Sequence, residues 1–376
     1  MGTFGLLKKF LKLGMNSMDG NDRSKKEYIK PIFSQEIPGS SIRDLTEENT
    51  DDETLGKIPS VAEQPESETA SKEKTNKSVS QSKPVKSTSI SDLPVGQFIH
   101  TERSQIGYTS GILKNTFIHL KGIGHQTEAS LWEKGVLTHE DALDKGILAT
   151  RRNCLKNSKQ DIENRNWHPF YEGMNSRDHW RLFGDLVHET AYIDIETTGL
   201  GSSTDIITTA VVHSLRDTHV FVNGINLDRL PIHLTQFKLI VTYNGKSFDI
   251  PFIERFFQTT VRAPHIDLRY VLAGMGYKGG LKSCEQQLKL PNREGMEEID
   301  GYTAVLLWNY YCRTKDSKAL ETLLAYNYED SVRLEWLMIE AYNQKLSGLP
   351  FLSNQLHKPT LPPNPYKTYS SILRRI

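Results

Sequence analysis

The chain is poor in cysteine and in long apolar runs, and its charges cancel. Its 376 residues include three cysteines, Cys154, Cys284 and Cys312, which are scattered and odd in number. That pattern fits a reducing, cytoplasmic compartment and argues against a disulfide framework or a zinc site. No run of about 20 apolar residues occurs, so we expect no stable membrane insertion. Lys and Arg number 46, as do Asp and Glu, so binding to any polyanion must use a local patch.

Aromatic residues are absent from residues 34–97, where Ser, Thr, Glu, Lys and Pro dominate. Such a segment cannot bury enough apolar surface to offset its conformational entropy. We therefore predict a disordered tail over residues 1–96. The composition of the rest predicts a helical region over 97–185, an α/β domain over 186–346 and an irregular C-terminal tail over 347–376.

Two glycines, Gly122 and Gly124, follow Lys121 within an apolar pattern that predicts two short helices around a Gly-x-Gly turn. Glycines let the backbone approach a partner closely, and the free N–H groups of the second helix can hold a phosphate. The segment resembles a helix-hairpin-helix element, which binds nucleic-acid backbones without sequence preference. An ordinary helical hairpin with two glycines is the alternative.

The run from Tyr192 to Gly199 is apolar and β-rich, and it places acids at alternate positions, Asp194 and Glu196. Alternate side chains of a strand share a face. At about 4 Å and an effective dielectric near 20, two such carboxylates repel by roughly 4 kcal/mol. A hard divalent cation such as Mg²⁺, which prefers oxygen ligands, would relieve that repulsion. A strand with two solvent-facing acids is the alternative.

A second acid, Asp249, follows the turn at Asn244-Gly245 and precedes Pro251, so we predict that it caps a helix. Asn244 either orients a substrate or closes the turn. Lys246 either contacts phosphate or is merely exposed. Farther on, Lys278 and Lys282 beside Gly279-Gly280 are interpreted as solvated loop lysines.

A third pair, Tyr326 and Asp330, stands one helical turn apart and shares a helix face. Taken alone, it fits a packed tyrosine beside a surface acid. Around the three acid sites, strand-like runs at 191–196, 206–213, 219–224 and 239–243 predict a meander followed by a parallel addition. That order predicts an α/β, ribonuclease H-like fold, a mixed sheet flanked by helices.

In order, the three motifs resemble the DEDD exonuclease superfamily, with Asp194-x-Glu196, Tyr243-Asn244-Gly245-x-x-x-Asp249 and Tyr326-x-x-x-Asp330. The third motif is of the tyrosine type, DEDDy, since Ala325 stands where the histidine type has its histidine. The wording around Asp249 is similar to the YprB-like ribonuclease H-like family. The resemblance covers about residues 191–337.

The resemblance implies a metal-dependent nuclease, a 3′–5′ exonuclease that uses two divalent ions, Mg²⁺ or Mn²⁺. Asp194 would bridge both ions, Glu196 and Asp330 would bind one, and Asp249 would reach the second. Tyr326 would position the attacking water. Lys121, Gly122, Gly124, Asn244 and Lys246 are the expected contacts to DNA or RNA. Two alternatives stay open: a ribonuclease H-like endonuclease, and a nucleic-acid-binding protein with an inactive site.

Overall fold

The computed structural model describes Val95, the backbone of Ile99 and His100, and residues 111–297, 299–351 and 355–376. All of these belong to one compact unit. The predicted disordered tail over residues 1–96 lies outside the described residues, apart from Val95. No helix within the described ranges has the length and apolarity that crossing a bilayer requires.

A mixed sheet of six strands forms the centre of this unit. Its strands are β1 (Ile99–His100), β2 (Thr190–Thr197), β3 (Ile207–Ser214), β4 (Asp217–Val222), β5 (Leu239–Thr242) and β6 (His265–Asp267). Their order across the sheet is β1-β4-β3-β2-β5-β6. Neighbours from β1 to β2 are antiparallel, whereas β5 pairs parallel with both β2 and β6. The predicted meander with a parallel addition is therefore confirmed.

Twelve α-helices surround or precede the sheet in the described residues. They are α1 (His125–Glu133), α2 (His139–Asp144), α3 (Arg152–Glu163), α4 (His168–Gly173), α5 (Phe183–Leu186), α6 (Leu230–Leu234), α7 (Asp249–Phe257), α8 (Leu268–Gly274), α9 (Leu281–Gln287), α10 (Gly301–Thr314), α11 (Ser317–Leu346) and α12 (Ser370–Leu373). Short 3-10 helices lie at Leu113–Asn115, Ala149–Arg151, His179–Leu182, Val187–Glu189 and Leu227–Arg229.

The sheet separates two apolar cores, and strand β2 feeds both of them. Ile193 and Ile195 belong to the core that includes residues of α6 and α7, whereas Tyr192 belongs to the core that includes residues of α11. This is the period-two alternation of a strand that is covered on both faces. Even-numbered β2 residues, Asp194 and Glu196 among them, therefore face the same side as Tyr192.

Helix α11 begins after Asp316, whose carboxylate accepts a hydrogen bond from the Lys318 backbone N–H at 3.1 Å. Its 30 residues span about 45 Å. The helix packs across β2, β3 and β5. Asn327 of α11 hydrogen-bonds to Asp194, so the turn from Tyr326 to Asp330 lies over the acidic end of β2.

Within the region ahead of β2, a buried ion pair joins Glu128 of α1 to Arg181 of the 3-10 helix His179–Leu182. That 3-10 helix in turn contacts β6 and α11. The two guanidinium nitrogens donate to the two carboxylate oxygens at 2.9 and 2.7 Å. Glu128 is 1% exposed and Arg181 3%. Glu128 also accepts from the backbone N–H groups of Phe117 and Ile118. Removing one partner of such a pair costs about 3–5 kcal/mol, because the other charge is left buried and uncompensated.

The C-terminal segment packs against α11 although most of it is irregular. Asn364 donates to the Ala325 carbonyl at 2.8 Å. Asn343 exchanges two hydrogen bonds with the Leu356 backbone at 2.7 and 2.8 Å. Tyr366 and Ile372 are buried in the core beside α11. The described residues of the predicted irregular tail therefore pack against α11 and include the short helix α12.

Candidate active site

Strand β2 presents two acids at its carboxyl end on the face that α11 covers. Asp194 is partly exposed, and Glu196 is 9% exposed. Their neighbours Ile193 and Ile195 turn into the opposite core, which holds the strand in register. Pairing with β3 shifts between Glu196 and Thr197, so the strand becomes irregular just after the second acid.

Helix α11 brings the third acid to this pair. Carboxylate oxygens of Asp194, Glu196 and Asp330 all lie within 4.8 Å of one another. Asp330 is 7% exposed, as is Tyr326, one turn earlier on the same helix. Tyr326 and Asp330 follow the end of β2 by 129 and 133 residues, so the fold alone creates this cluster.

The fourth predicted acid, Asp249, lies next to the cluster but is not part of the group of three. Its Oδ1 accepts a hydrogen bond from the Ile195 backbone N–H at 3.2 Å, between the two acids of β2. The predicted helix cap is wrong in detail, because Phe248 is the N-cap and Asp249 is the first helical residue. Strand β5 pairs with β2 only as far as Tyr192, which leaves the later Ile195 N–H free for the Asp249 carboxylate.

Burial shifts the protonation of these acids strongly. Desolvation, followed by the Asp330 and Asp249 charges, raises the pKa of both Asp194 and Glu196 well above ordinary values. Burial also raises the pKa of Asp249 to about 7, although backbone hydrogen bonds oppose the shift. A bound cation would favour the ionised, carboxylate form of acids that are crowded and desolvated in this way. An all-oxygen donor set of this spacing fits Mg²⁺ or Mn²⁺.

Asn327 fixes the orientation of Asp194. Its side-chain amide donates to Asp194 Oδ2 at 2.7 Å and to the Asp194 carbonyl at 3.1 Å. The amide oxygen in turn accepts from the Thr209 hydroxyl at 3.0 Å. Asn327 is fully buried, so these bonds have no competition from water. Such partners of a ligating acid set its direction and basicity.

Arg293 bonds to the acid of α11 and links it to a second set of charges. Its Nη1 donates to Asp330. Its Nε and Nη2 donate to the two oxygens of Glu285 at 3.0 and 2.5 Å. Arg333 lies 3.6 Å from Glu285 and donates to Glu329 at 2.7 Å. Glu285 and Glu329 balance the two arginines formally, so the four site acids still carry an excess of negative charge.

Lys282 lies at the edge of the site, which contradicts its interpretation as a solvated loop lysine. It belongs to helix α9 and is half-buried. Its ammonium group donates to the Ile299 carbonyl and lies 5.1 Å from the centre of the Tyr326 ring. Burial lowers the pKa of Lys282, and the Asp330 charge opposes that effect. The Tyr326 hydroxyl itself makes no hydrogen bond to another described residue.

The loop after β5 is held by Asp267 at the end of β6. The Asp267 carboxylate accepts from the backbone N–H groups of Asn244 and Lys246 at 2.8 and 3.0 Å and also caps α8. Asn244 has a left-handed backbone (φ 68°), and its side-chain oxygen accepts from Arg269 and from Ser247. The Lys246 ammonium donates to the Ser176 hydroxyl at 2.7 Å. The loop is thereby shaped before Asp249 begins α7.

The predicted hairpin residues Lys121, Gly122 and Gly124 lie in the helical region ahead of the sheet. Helix α1 begins directly after Gly124, and no side chain caps its N-terminus. The expected helix before the glycines is wrong, because only the 3-10 helix Leu113–Asn115 and turns precede them. Glu128 takes the N–H groups of Phe117 and Ile118, and these bonds replace a helical turn. Arg151 donates to the Lys121 carbonyl at 3.2 and 3.1 Å, which adds a second cation there.

Sequence reasoning missed Asn327 and Arg293. Asn327 had one signal, since it is a polar residue on a helix whose neighbours are apolar and buried. Arg293 had none, because it lies between elements in a segment with no motif. Both act through contacts that span tens to more than a hundred residues, which local patterns do not contain.

Residues 191–342 match the model of the family described as the RNase_H superfamily. The sheet order and this match together confirm the ribonuclease H-like fold predicted from the sequence. No curated protein is similar enough to the chain to count as a match.

Several solved structures are similar to parts of the chain. One is the apo form of a nuclease, at 19% identity and a TM-score of 0.31 over 46% of this chain and 79% of that one. Another is NrnC of Brucella melitensis with bound Mg²⁺, at 16% identity and a TM-score of 0.23 over 43% of this chain and 86% of that one. A third is the family B DNA polymerase of Pyrobaculum calidifontis, at 17% identity and a TM-score of 0.28 over 41% of this chain. The matching part spans only 27% of that polymerase.

Proposed function

We propose that this chain is a metal-dependent nuclease, a 3′–5′ exonuclease of the DEDDy type that hydrolyses phosphodiester bonds with two divalent ions, Mg²⁺ or Mn²⁺. The main support is the approach of Asp194, Glu196 and Asp330 to within 4.8 Å of one another from two distant parts of the chain. The match of residues 191–342 to the RNase_H superfamily supports the same class of chemistry.

The residues that would hold the ions are the four acids. Asp194, Glu196 and Asp330 would hold one, and Asp249, beside Ile195, would help to hold the other. When bound, the ions lower the pKa of the attacking water and offset charge at the phosphate. Without cations, four carboxylates around a phosphodiester would repel it.

Tyr326 is assigned the task of orienting the attacking water. Its hydroxyl makes no hydrogen bond within the described residues, so it is available to a water beside Glu196 and Asp330. Burial, followed by the Asp330 and Glu196 charges, raises the pKa of Tyr326 well above its ordinary value. The hydroxyl therefore stays protonated at neutral pH and donates or accepts a hydrogen bond rather than removing a proton.

This role predicts the behaviour of Tyr326→Phe. Turnover should fall by about ten-fold or more, because a misplaced nucleophile is costly. The affinity for Mn²⁺ should stay the same, because the hydroxyl is not a ligand. Single-turnover kinetics and metal titration measure the two effects separately. Unchanged turnover would show that the ring serves only for packing.

The helical region would supply the grip on the strand. The uncapped N-terminus of α1, with Lys121 and Arg151 nearby, presents N–H groups and two cations to a phosphate. These contacts carry no base information, so DNA and RNA are both candidate substrates. The buried Glu128–Arg181 pair joins α1 to the 3-10 helix His179–Leu182, which contacts β6 and α11.

The test is a degradation assay with matched single- and double-stranded DNA and RNA, each labelled at one end. Wild type should shorten a strand from its 3′ end in Mg²⁺ or Mn²⁺ and release nucleoside monophosphates. Asp194→Asn should reduce this to background. The matched control is Asp228→Asn, which removes an exposed acid on the 3-10 helix Leu227–Arg229. It should keep full activity.

A circular substrate distinguishes the possible outcomes. An exonuclease leaves it intact, whereas cutting of the circle would identify an endonuclease with the same acids. If wild type and Asp194→Asn are equally inert on all substrates while both bind nucleic acid, the enzymatic proposal is wrong.

A further inference from the structure

A second concave site lies at the opposite end of the parallel strands from the acids. It is a cavity of about 570 Å³ between the α3–α4 link, helix α6 and the chain that leads from α7 into β6. Lys238 and Pro264, which immediately precede β5 and β6, both line it. The acids gather at the carboxyl ends of these strands. Since β5 has four residues, about 13 Å of strand separates the two sites.

The charge of this cavity is of one sign. Its lining includes Arg165, Lys238 and Arg262, and none of the described residues that line it is acidic. Arg165 is paired with Glu189, which offsets part of its charge. Lys238 and Arg262 are exposed and have no ion-pair partner among the described residues. Two uncompensated cations at the mouth of a cavity favour an anion.

Part of the remaining wall is apolar and aromatic. Trp167, Leu234 and Phe237 contribute to it. Trp167 is 6% exposed, and its indole N–H is buried without an acceptor in the described part of the chain. The volume lies within the range of small-molecule sites.

We propose that this cavity binds a nucleoside monophosphate at a non-catalytic site. Arg262 and Lys238 would bind the phosphate. The base would stack on the aromatic wall, and any base can do so because every base has a π-face. The choice of a nucleotide rests on the proposed function, whose product is of this class. The site itself stands apart from the acids, so a ligand held there is not within reach of hydrolysis.

The experiment is calorimetric titration of the full chain with AMP, adenosine and inorganic phosphate in EDTA, where the acidic cluster has no cation to attract phosphate. AMP should bind wild type and Asp194→Asn equally. The double variant Arg262→Gln/Lys238→Gln should bind AMP about ten-fold or more weakly, since two charge-assisted hydrogen bonds are lost. Adenosine and phosphate should each bind more weakly than AMP.

The matched control is Arg374→Gln/Arg375→Gln, which removes two exposed arginines near the C-terminus, and it should bind AMP as wild type does. The proposal is overturned if wild type shows no AMP binding at millimolar concentration, or if Asp194→Asn loses binding that the double variant keeps. It is also overturned if a short oligonucleotide depends on the same two cations and binds more tightly than AMP, since the cavity would then belong to a strand path. If the chain binds AMP but has no nuclease activity, the proposed function fails and this proposal stands. If it is an active nuclease that does not bind AMP, this proposal fails and the proposed function stands.

Discussion

Replacement of Arg293 by Met tests whether a resident guanidinium competes with divalent ions for Asp330. Arg293 is 8% exposed and bonds to both Asp330 and Glu285. Burial by itself would lower the pKa of Arg293, but the two adjacent carboxylates outweigh it and raise that pKa. The arginine is therefore always charged. Met replaces the apolar stem of the side chain and removes the guanidinium group with its hydrogen bonds.

The expected magnitude follows from leaving buried acids without their partner. In EDTA, Arg293→Met should lower the free energy of unfolding by about 3–5 kcal/mol. A divalent ion at about 100 times its Kd adds roughly 2.7 kcal/mol to any variant that binds it. Arg293→Met should gain more than that, because the ion also balances Asp330. Glu285 stays uncompensated, so we expect roughly half of the deficit to be recovered.

The assay is urea unfolding of wild type and variant, in EDTA and in saturating Mn²⁺, together with calorimetric Mn²⁺ binding. By linkage, the extra stabilisation equals the gain in binding free energy. We therefore expect the Kd for Mn²⁺ of Arg293→Met to be about ten-fold or more lower than that of wild type. Arg333→Met is the matched control, because Arg333 is equally buried and contacts Glu285 and Glu329 but not Asp330. It should be destabilised without metal-dependent recovery. The reasoning is refuted if both variants recover equally, or if Arg293→Met binds Mn²⁺ more weakly than wild type.

Three further predictions address other parts of the site. Asn327→Leu should weaken metal affinity or turnover by about 10- to 100-fold because Asp194 loses its orienting donor; Mn²⁺ titration with normal affinity and normal rate would contradict this. In EDTA, Asp249 destabilises the fold increasingly as pH rises from its unfolded pKa near 3.8 toward its folded pKa of about 7, because the folded state holds the proton longer. Melting temperatures of Asp249→Asn should therefore fall less steeply with pH than those of wild type over that range. Identical slopes would show that the pKa of Asp249 is not raised in the folded state. Lys121→Ala should weaken substrate binding and reduce its salt slope by about one, whereas an unchanged slope would exclude a phosphate contact.

The sequence predicts the elements of the fold well where the hydrophobic periodicity and the bounding turn residues indicate the same element. Helix α7 begins at Asp249, within one residue of the start that its turn and proline signals predict. Strand β2 extends only one residue beyond each end of the predicted run at 191–196. Both segments are bounded by turn residues and carry a period that packing on the sheet reinforces, so local and tertiary preferences coincide.

Local signals fail where a side chain replaces a backbone hydrogen bond. The turn before Gly122 has an apolar pattern suited to a helix. The Glu128 carboxylate instead accepts hydrogen bonds from the Phe117 and Ile118 N–H groups, so these groups are satisfied without a helix. Asp249 has the residue type of a cap, but its carboxylate bonds to Ile195 of a neighbouring strand instead. In both places a contact from elsewhere in the chain satisfies groups that sequence rules assign to the local helix.

The way in which each acid is held divides the four into two kinds. Asp194 is fixed by Asn327, Asp249 by the Ile195 N–H, and Asp330 by Arg293. Glu196 has no hydrogen-bond partner within the described residues, and burial, followed by the charges of Asp330 and Asp249, raises its pKa. Three acids are thus preorganised, as the proposed ligand set requires, because catalysis tolerates only small errors of geometry. In the proposed metal site, Glu196 is therefore the one acid of the four whose direction is not set by a hydrogen bond to a described residue.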